Sequence, residues 1–314
     1  MNIVILDSKT LGEDLDLSPL SEFGTVVNYP TTSALEVVER VKNAEIIVVN
    51  KVKITKEVID NAPNLKIICE TATGYDNIDT KYCKEKGIAV TNTPAYSVHS
   101  VALVTVSMVC ALATHLKEYS GFINSGEYQK SASANKLTPI YHELNGLTWG
   151  IIGFGNIGKA VGKVAEAFGC KLLVNKQTPI DGYECVDVDT LIEKSDIITI
   201  HCPLTDKTRN IIDEKRLEKA KKNAIIVNVA RGGVWNENAV ANAIIEGKIG
   251  GIGCDVFSTE PMPENHPFNK LLSYDNVILT PHMAWGAYEA RKRCFDIVID
   301  NIKAFLKGES KNRV

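Results

Sequence analysis

The chain has 314 residues, enough for two domains that each bury a hydrophobic core. Its 35 Lys and Arg against 38 Asp and Glu leave a net charge of -3 with no basic block, which argues against a nucleic-acid partner or an anionic membrane surface. Eight cysteines without a C-x-x-C pair, mostly inside apolar runs, read as buried thiols in a reducing cytoplasm rather than as a disulfide framework, and no metal site is expected.

Residues 1–7 lack the basic stretch and the length of a signal peptide and read as a first strand. Through the first hundred residues, short β-rich runs at 2–6, 25–27, 45–49, 66–69 and 88–91 alternate with helical patterns at 34–42, 56–61 and 80–86. Such alternation predicts a doubly wound parallel sheet. No glycine fingerprint follows any of these strands, so nucleotide binding is not expected here. The strand exits at Thr71-Ala72-Thr73-Gly74-Tyr75-Asp76 and Asn92-Thr93-Pro94-Ala95-Tyr96-Ser97 are instead candidates for the substrate side. Residues 100–117 predict one long, mostly buried helix; the apolar run 101–113, broken by Thr105 and Ser107, is too short for a membrane span.

The stretch Trp149-Gly150-Ile151-Ile152-Gly153-Phe154-Gly155-Asn156-Ile157-Gly158 then presents an apolar strand, a G-x-G-x-x-G turn and the start of an amphipathic helix. Ile157, Val161, Val164, Ala165 and Phe168 share one helix face, and a second strand is predicted at 170–174. In that context the glycines predict a dinucleotide site. Gly153 makes the turn, Gly155 admits the pyrophosphate, and Gly158 lets the helix pack close, its N-terminus facing the phosphates. Further strands are predicted at 196–200, 224–229, 252–257 and 276–280, and an amphipathic helix at 287–306.

Ligands of open α/β sheets bind beyond the carboxyl ends of the strands. Successive exits here deliver His201-Cys202-Pro203, Val229-Ala230-Arg231, Asp255 with Glu260, and Pro281-His282. A histidine can give and take a proton near neutrality, a carboxylate fixes its tautomer, and an arginine can grip a substrate carboxylate bidentately. Arg231, Glu260 and His282 are therefore the expected catalytic set for hydride exchange between a nicotinamide cofactor and a carbonyl carbon.

These segments, with Thr73-Gly74-Tyr75-Asp76-Asn77-Ile78-Asp79 and Asn92-Thr93-Pro94, occur in the order of the D-2-hydroxyacid dehydrogenase family, which the chain resembles along nearly its whole length. The resemblance implies two doubly wound α/β domains: a Rossmann nucleotide domain (99–286) inserted in a split flavodoxin-like substrate domain (1–98 and 287–314). It implies Arg231 as substrate clamp, Glu260 as the histidine's partner and His282 as acid/base. Nucleotide contacts are expected from Gly153, Phe154, Gly155, Asn156, Ile157, Gly158, Asn175, Lys176, Cys202, Pro203, Val229, Ala230, Arg231, Asp255 and His282. Substrate contacts are expected from Thr73, Gly74, Tyr96, Arg231, His282 and Trp285. A homodimer with the long helix in its contact is also implied.

Met283-Ala284-Trp285 resembles the hydroxypyruvate reductase (glycerate dehydrogenase) branch, where a tryptophan would narrow the pocket toward hydroxypyruvate or glyoxylate. D-lactate, D-2-hydroxyisocaproate and phosphoglycerate dehydrogenases and the corepressor-like, cofactor-sensing relatives are the alternatives. One departure bears on the cofactor. Eighteen residues past Gly158 (176 − 158), where an NAD enzyme places an acid for the ribose hydroxyls, stands Lys176. With Asn175 it suits a 2′-phosphate, so NADPH is favoured over NADH.

Overall fold

Isoleucine- and valine-rich runs, buried on both faces, form the strands of two parallel sheets. The computed structural model describes residues 1–176 and 178–314; Gln177, which follows Lys176, lies outside the described residues. The chain divides into two units, Met1–Ser97 with Gly286–Val314, and Val98–Trp285.

In the first unit, β1 (Asn2–Ile5), β2 (Thr25–Asn28), β3 (Ile46–Val49), β4 (Ile67–Glu70) and β5 (Ala89–Thr91) lie in the order β2-β1-β3-β4-β5. Alternate residues of the same strands feed two cores, as the period-two alternation of side chains requires. Ile3, Ile5, Ile46 and Val48 pack with Phe295, Val298 and Ile302 of the helix Tyr288–Leu306, while Val4, Ile47, Val49 and Ile68 form the other face.

The second unit contains β6 (Thr148–Ile152), β7 (Lys171–Asn175), β8 (Glu184–Cys185), β9 (Ile197–Ile200), β10 (Ile225–Asn228), β11 (Gly251–Cys254) and β12 (Val277–Leu279) in the order β12-β11-β10-β9-β6-β7-β8. The winding reverses between β6 and β9, so the carboxyl edge there is the crevice where such sheets take ligands. The register aligns Asn228, Cys254 and Leu279, so the exits of β10, β11 and β12 start level on adjacent strands.

Two expectations need correction. The predicted helix 100–117 is Val98–Ala113 followed by Leu116–Asn124, bent by 68°, because His115 adopts φ 51° and ends the first helix. No glycine marks that break in the sequence. The helix predicted at 34–42 shrinks to Val37–Val41, its first turn giving way to a cap in which Glu36 accepts from the Ser33 N–H and hydroxyl. No single helix among the described residues is long and apolar enough to cross a membrane. All eight cysteines are free, six of them buried, and burial pushes the thiols of Cys69 and Cys294 up to about 12.

Candidate active site and nucleotide edge

The glycine turn is built as its spacing demands. Gly153 sits at φ 92°, and a Cβ there would come within 2.5 Å of the Cys202 backbone nitrogen, so the β6 exit is packed against the β9 exit. A Cβ on Gly158 would meet the Gly153 carbonyl oxygen at 2.4 Å, which fixes the helix Asn156–Ala167 hard against the turn. Gly155 differs: among the described residues a Cβ there would meet nothing within 4 Å. The protein's own packing thus does not explain that glycine, whereas a ligand backing onto the loop does. No side chain among the described residues caps this helix, which leaves its first N–H groups without an internal partner. These residues fit a dinucleotide pyrophosphate.

Around the turn, the predicted contact residues divide. Phe154 is 1% exposed, its ring packed on Tyr183 at 4.7 Å, and the Cys202 thiol is buried with its pKa pushed up to about 11 by burial. Both side chains belong to the core, so only their backbones are placed to face a ligand. Asn175 joins the turn to β7 by accepting from Gly153 N–H at 3.0 Å, and its side-chain amide donates to Val186 O at 2.9 Å. Lys176 is exposed and has no hydrogen-bond or ion-pair partner among the described residues.

Toward the other side of the sheet, Asn228 closes the β10 exit. Its side-chain oxygen accepts from Ala230 N–H at 3.0 Å and its amide donates to Arg231 O at 3.0 Å. Gly232 then allows the close approach of the next exit, since a Cβ would lie 2.0 Å from the Phe257 carbonyl carbon. Arg231 is half-buried, and its Nη1 donates to Ala230 O at 2.8 Å. On the neighbouring exit, Glu260 Oε1 accepts from Phe257 N–H at 3.0 Å, which fixes the carboxylate to its own loop.

Glu260 Oε2 lies 2.6 Å from His282 Nδ1, and the two side chains remain 32% and 24% exposed. His282 adopts φ 52°, a left-handed conformation uncommon outside glycine, and the loop that imposes it is anchored by Asp255. The Asp255 carboxylate is 1% exposed and accepts from Thr280 Oγ1 at 2.6 Å, Met283 N–H at 2.8 Å and Ala284 N–H at 2.9 Å. Asp255 therefore holds the loop on both sides of His282. An imidazole whose Nδ1–H donates to a carboxylate has its Nε2 free for proton transfer.

The glycine turn ahead of the helix Asn156–Ala167 and the His282 loop stand on the same sheet edge. From β6 to β11 there are three strand steps, a span on the order of 14 Å. That edge can seat an extended dinucleotide with one end at the glycines and the other beside imidazole, carboxylate and guanidinium.

Residues 106–284 match the family model described as "D-isomer specific 2-hydroxyacid dehydrogenase, NAD binding domain". A hydroxypyruvate reductase of Blautia hydrogenotrophica is 36% identical over 323 residues, covering 100% of this chain and 99% of the relative. The chain belongs to the D-2-hydroxyacid dehydrogenase family. As a member it is an oxidoreductase acting on the CH–OH group of 2-hydroxy acids with a nicotinamide cofactor. A glyoxylate reductase of Thermofilum pendens is 42% identical over 264 residues, covering 82% of this chain and 76% of that one. Among solved structures, D-lactate dehydrogenase from Aquifex aeolicus, complexed with NAD and lactic acid, is 31% identical with a TM-score of 0.86, covering 98% of this chain and 96% of that one.

Of the remaining predicted residues in this dehydrogenase, Trp285 is half-buried and packs on the core cluster of its own unit, which includes Ile151, Phe154 and Val229. Thr73, Gly74 and Tyr96 belong to the first unit. Thr73 Oγ1 donates to Thr93 O at 2.9 Å, and Tyr96 is 5% exposed, its carbonyl accepting from Arg293 Nε at 3.0 Å. Sequence reasoning named His201 at the β9 exit but missed its burial. Both of its ring nitrogens are buried without a hydrogen-bond partner among the described residues, and burial pushes its pKa down to about 3, so the ring stays neutral beside the glycine turn. It also missed Glu237, which accepts from Ser258 N–H at 2.8 Å and faces buried His266 at 3.0 Å, bracing the loop that carries Glu260. An acid at a helix start gives no sign of such a partner in sequence.

Proposed function

We propose that this enzyme reduces a short 2-oxo acid, with hydroxypyruvate or glyoxylate the preferred substrate and D-glycerate or glycolate the product. The His282–Glu260 contact of 2.6 Å, one strand from Arg231, carries the reading. A bound reduced nicotinamide would supply the hydride to the carbonyl carbon. The chain's own part is to hold and protonate: Arg231 grips the substrate carboxylate in a bidentate pair, and His282 Nε2 delivers a proton to the carbonyl oxygen. Glu260, fixed by Phe257 N–H, keeps the Nδ1 proton in place and balances the imidazolium.

The nucleotide would be held by the backbones of Gly153, Phe154, Gly155, Asn156, Ile157 and Gly158, with Cys202, Pro203, Val229 and Ala230 along the edge. Thr73 and Gly74 are assigned to the substrate carboxylate, and Tyr96 and Trp285 to the pocket's width. The names of the relatives in Blautia and Thermofilum support a two- or three-carbon substrate. A spectrophotometric screen of glyoxylate, hydroxypyruvate, pyruvate and 2-oxoisocaproate should give the highest kcat/KM with one of the first two. Preference for pyruvate or 2-oxoisocaproate would move the enzyme to the lactate or isocaproate type, and no turnover with any would favour a cofactor-sensing protein.

Exposed Lys176 at the end of β7 supports NADPH over NADH, because an ammonium attracts a 2′-phosphate that an acid would repel. Lys176→Asp should lower kcat/KM for NADPH roughly tenfold or more, the scale of a lost charge-assisted contact, and raise the relative use of NADH. An unchanged ratio of the two cofactors would place the 2′ recognition elsewhere. The exposed apolar side chains Leu103, Leu116, Leu137 and Ile140 support a homodimer through this region of the second unit, and sedimentation returning a 34.4 kDa species would refute it. Eight free cysteines suit a reducing compartment, the cytoplasm, which cell fractionation would test.

A further inference from the structure

The exits of β1, β3 and β4 in the first unit enclose two acids that form no ion pair among the described residues. Asp7, 6% exposed, occupies the point where the winding of this sheet reverses. Its carboxylate accepts from the backbone N–H groups of Asn50 (3.0 Å), Lys51 (2.6 Å) and Val52 (3.2 Å). An internal carboxyl group thus fills the nest that an external anion would use; burial raises its pKa, and the three N–H groups work against that rise. Glu70, the last residue of β4, is 0% exposed. Its Oε2 accepts from Asn77 Nδ2 at 2.9 Å, and its Oε1 is buried with no hydrogen-bond partner among the described residues. Asn77 Nδ2 also points at Asn50 O and Val52 O, both at 3.2 Å, and Asn50 Nδ2 donates to Thr71 O at 3.3 Å. The turn from Thr71 to Asn77 is thereby fastened at both ends to this cluster, with Thr73 and Gly74 at its centre.

We propose that Glu70 is a positioning residue: buried as the neutral acid it accepts from Asn77 and holds the Thr71–Asn77 turn in the form that presents Thr73 and Gly74, and on ionisation the cost of a buried charge without a counterion outweighs the stronger bond to Asn77 and opens the turn to water. The proposal rests on the reading that Thr73 and Gly74 meet the substrate carboxylate. Among the described residues no Lys, Arg or His side chain forms an ion pair within 4.0 Å of either carboxylate, so an ionised Glu70 would be a buried charge without a counterion, beside a second acid. The charged and titratable groups facing Glu70 are Asp7 after β1, Lys51 after β3, Asp76 in the turn, Cys69 on its own strand and Cys294 on the helix Tyr288–Leu306. Burial dominates and pushes Glu70 up to about 9; the Asn77 hydrogen bond works against this, and Asp7 adds to it.

The test is the KM for the 2-hydroxy acid in the oxidation direction, where neutral His282 is the competent form and an alkaline loss cannot be ascribed to it. In the wild type, KM should rise above about pH 9, by roughly tenfold per pH unit once the neutral acid is the minor form. Glu70→Gln keeps the clamp without the titration and should give a flat KM over the same range, whereas Glu70→Leu removes the clamp and should raise KM at every pH. An infrared difference spectrum of wild type against E70Q at neutral pH should show a protonated carboxyl band. An alkaline KM rise that persists in E70Q, or the absence of that band, would overturn the proposal. Gly74→Val separates the two readings. If it raises KM while E70Q behaves as wild type, only the role of Glu70 fails; if it leaves KM unchanged, the substrate assignment of the turn fails and the proposal with it.

Discussion

His282→Gln is expected to lower kcat by on the order of 10²- to 10⁴-fold, the range for loss of a positioned general acid, while the nucleotide still binds. Glutamine reaches about as far as imidazole and can keep a hydrogen bond to Glu260, so the variant tests proton transfer rather than the shape of the loop. The φ of 52° at this residue belongs to a backbone that Asp255 holds through Met283 and Ala284, and those contacts do not involve the imidazole. Steady-state kinetics with saturating 2-oxo acid should therefore show the loss in kcat, and fluorescence titration should show a nucleotide dissociation constant close to that of wild type. Turnover within a few-fold of wild type would remove His282 as the proton donor and leave the 2.6 Å contact with Glu260 as an ordinary surface pair.

Most of this architecture was legible because two periodicities coincide with punctuation. Buried parallel strands read as short Ile/Val runs, and each ends at a polar residue or glycine, so the exits carrying Arg231, Glu260 and His282 could be identified before their spatial order was known. The dinucleotide turn was legible for a stricter reason: Gly153 and Gly158 are sterically required, while Gly155 is open, and only a glycine triplet in that strand–helix context meets all three conditions. What did not show was anything that depends on a partner distant in sequence. The break at His115 has no local breaker residue, Glu70 reads as an ordinary strand-end acid until Asn77 and Asp7 close over it, and Glu237 looks like a helix-start acid until His266 faces it. Phe154 and Cys202 sit inside legible motifs, yet their side chains turn into the core, because adjacent strand exits present alternate residues to opposite sides. A motif locates a backbone; the direction of each side chain within it is decided by packing.

Asp255 connects the fold to the chemistry, and Asp255→Ala should damage both. Its carboxylate is buried and accepts three hydrogen bonds from the loop Thr280–Ala284, two of them from backbone N–H groups that no side-chain rotation can redirect. Truncation leaves those donors without that partner, one contact fully buried and two part-buried, a loss of about 3 kcal/mol when each buried unsatisfied group costs about 1–3. For a unit of this size that corresponds to a fall in Tm of roughly 10 °C. Asp255→Asn separates the contributions: one oxygen can still accept from Thr280 and Met283, but the new amide meets Ala284 N–H donor to donor, so about half the loss is expected. Turnover should follow the same order, wild type above D255N above D255A, because the left-handed backbone at His282 is held only while its neighbours are anchored. Calorimetry on the three proteins alongside kcat provides the check. A D255A protein that melts with the wild type would show that the His282 loop keeps its conformation without the carboxylate, and the link from strand β11 to the acid/base would be broken.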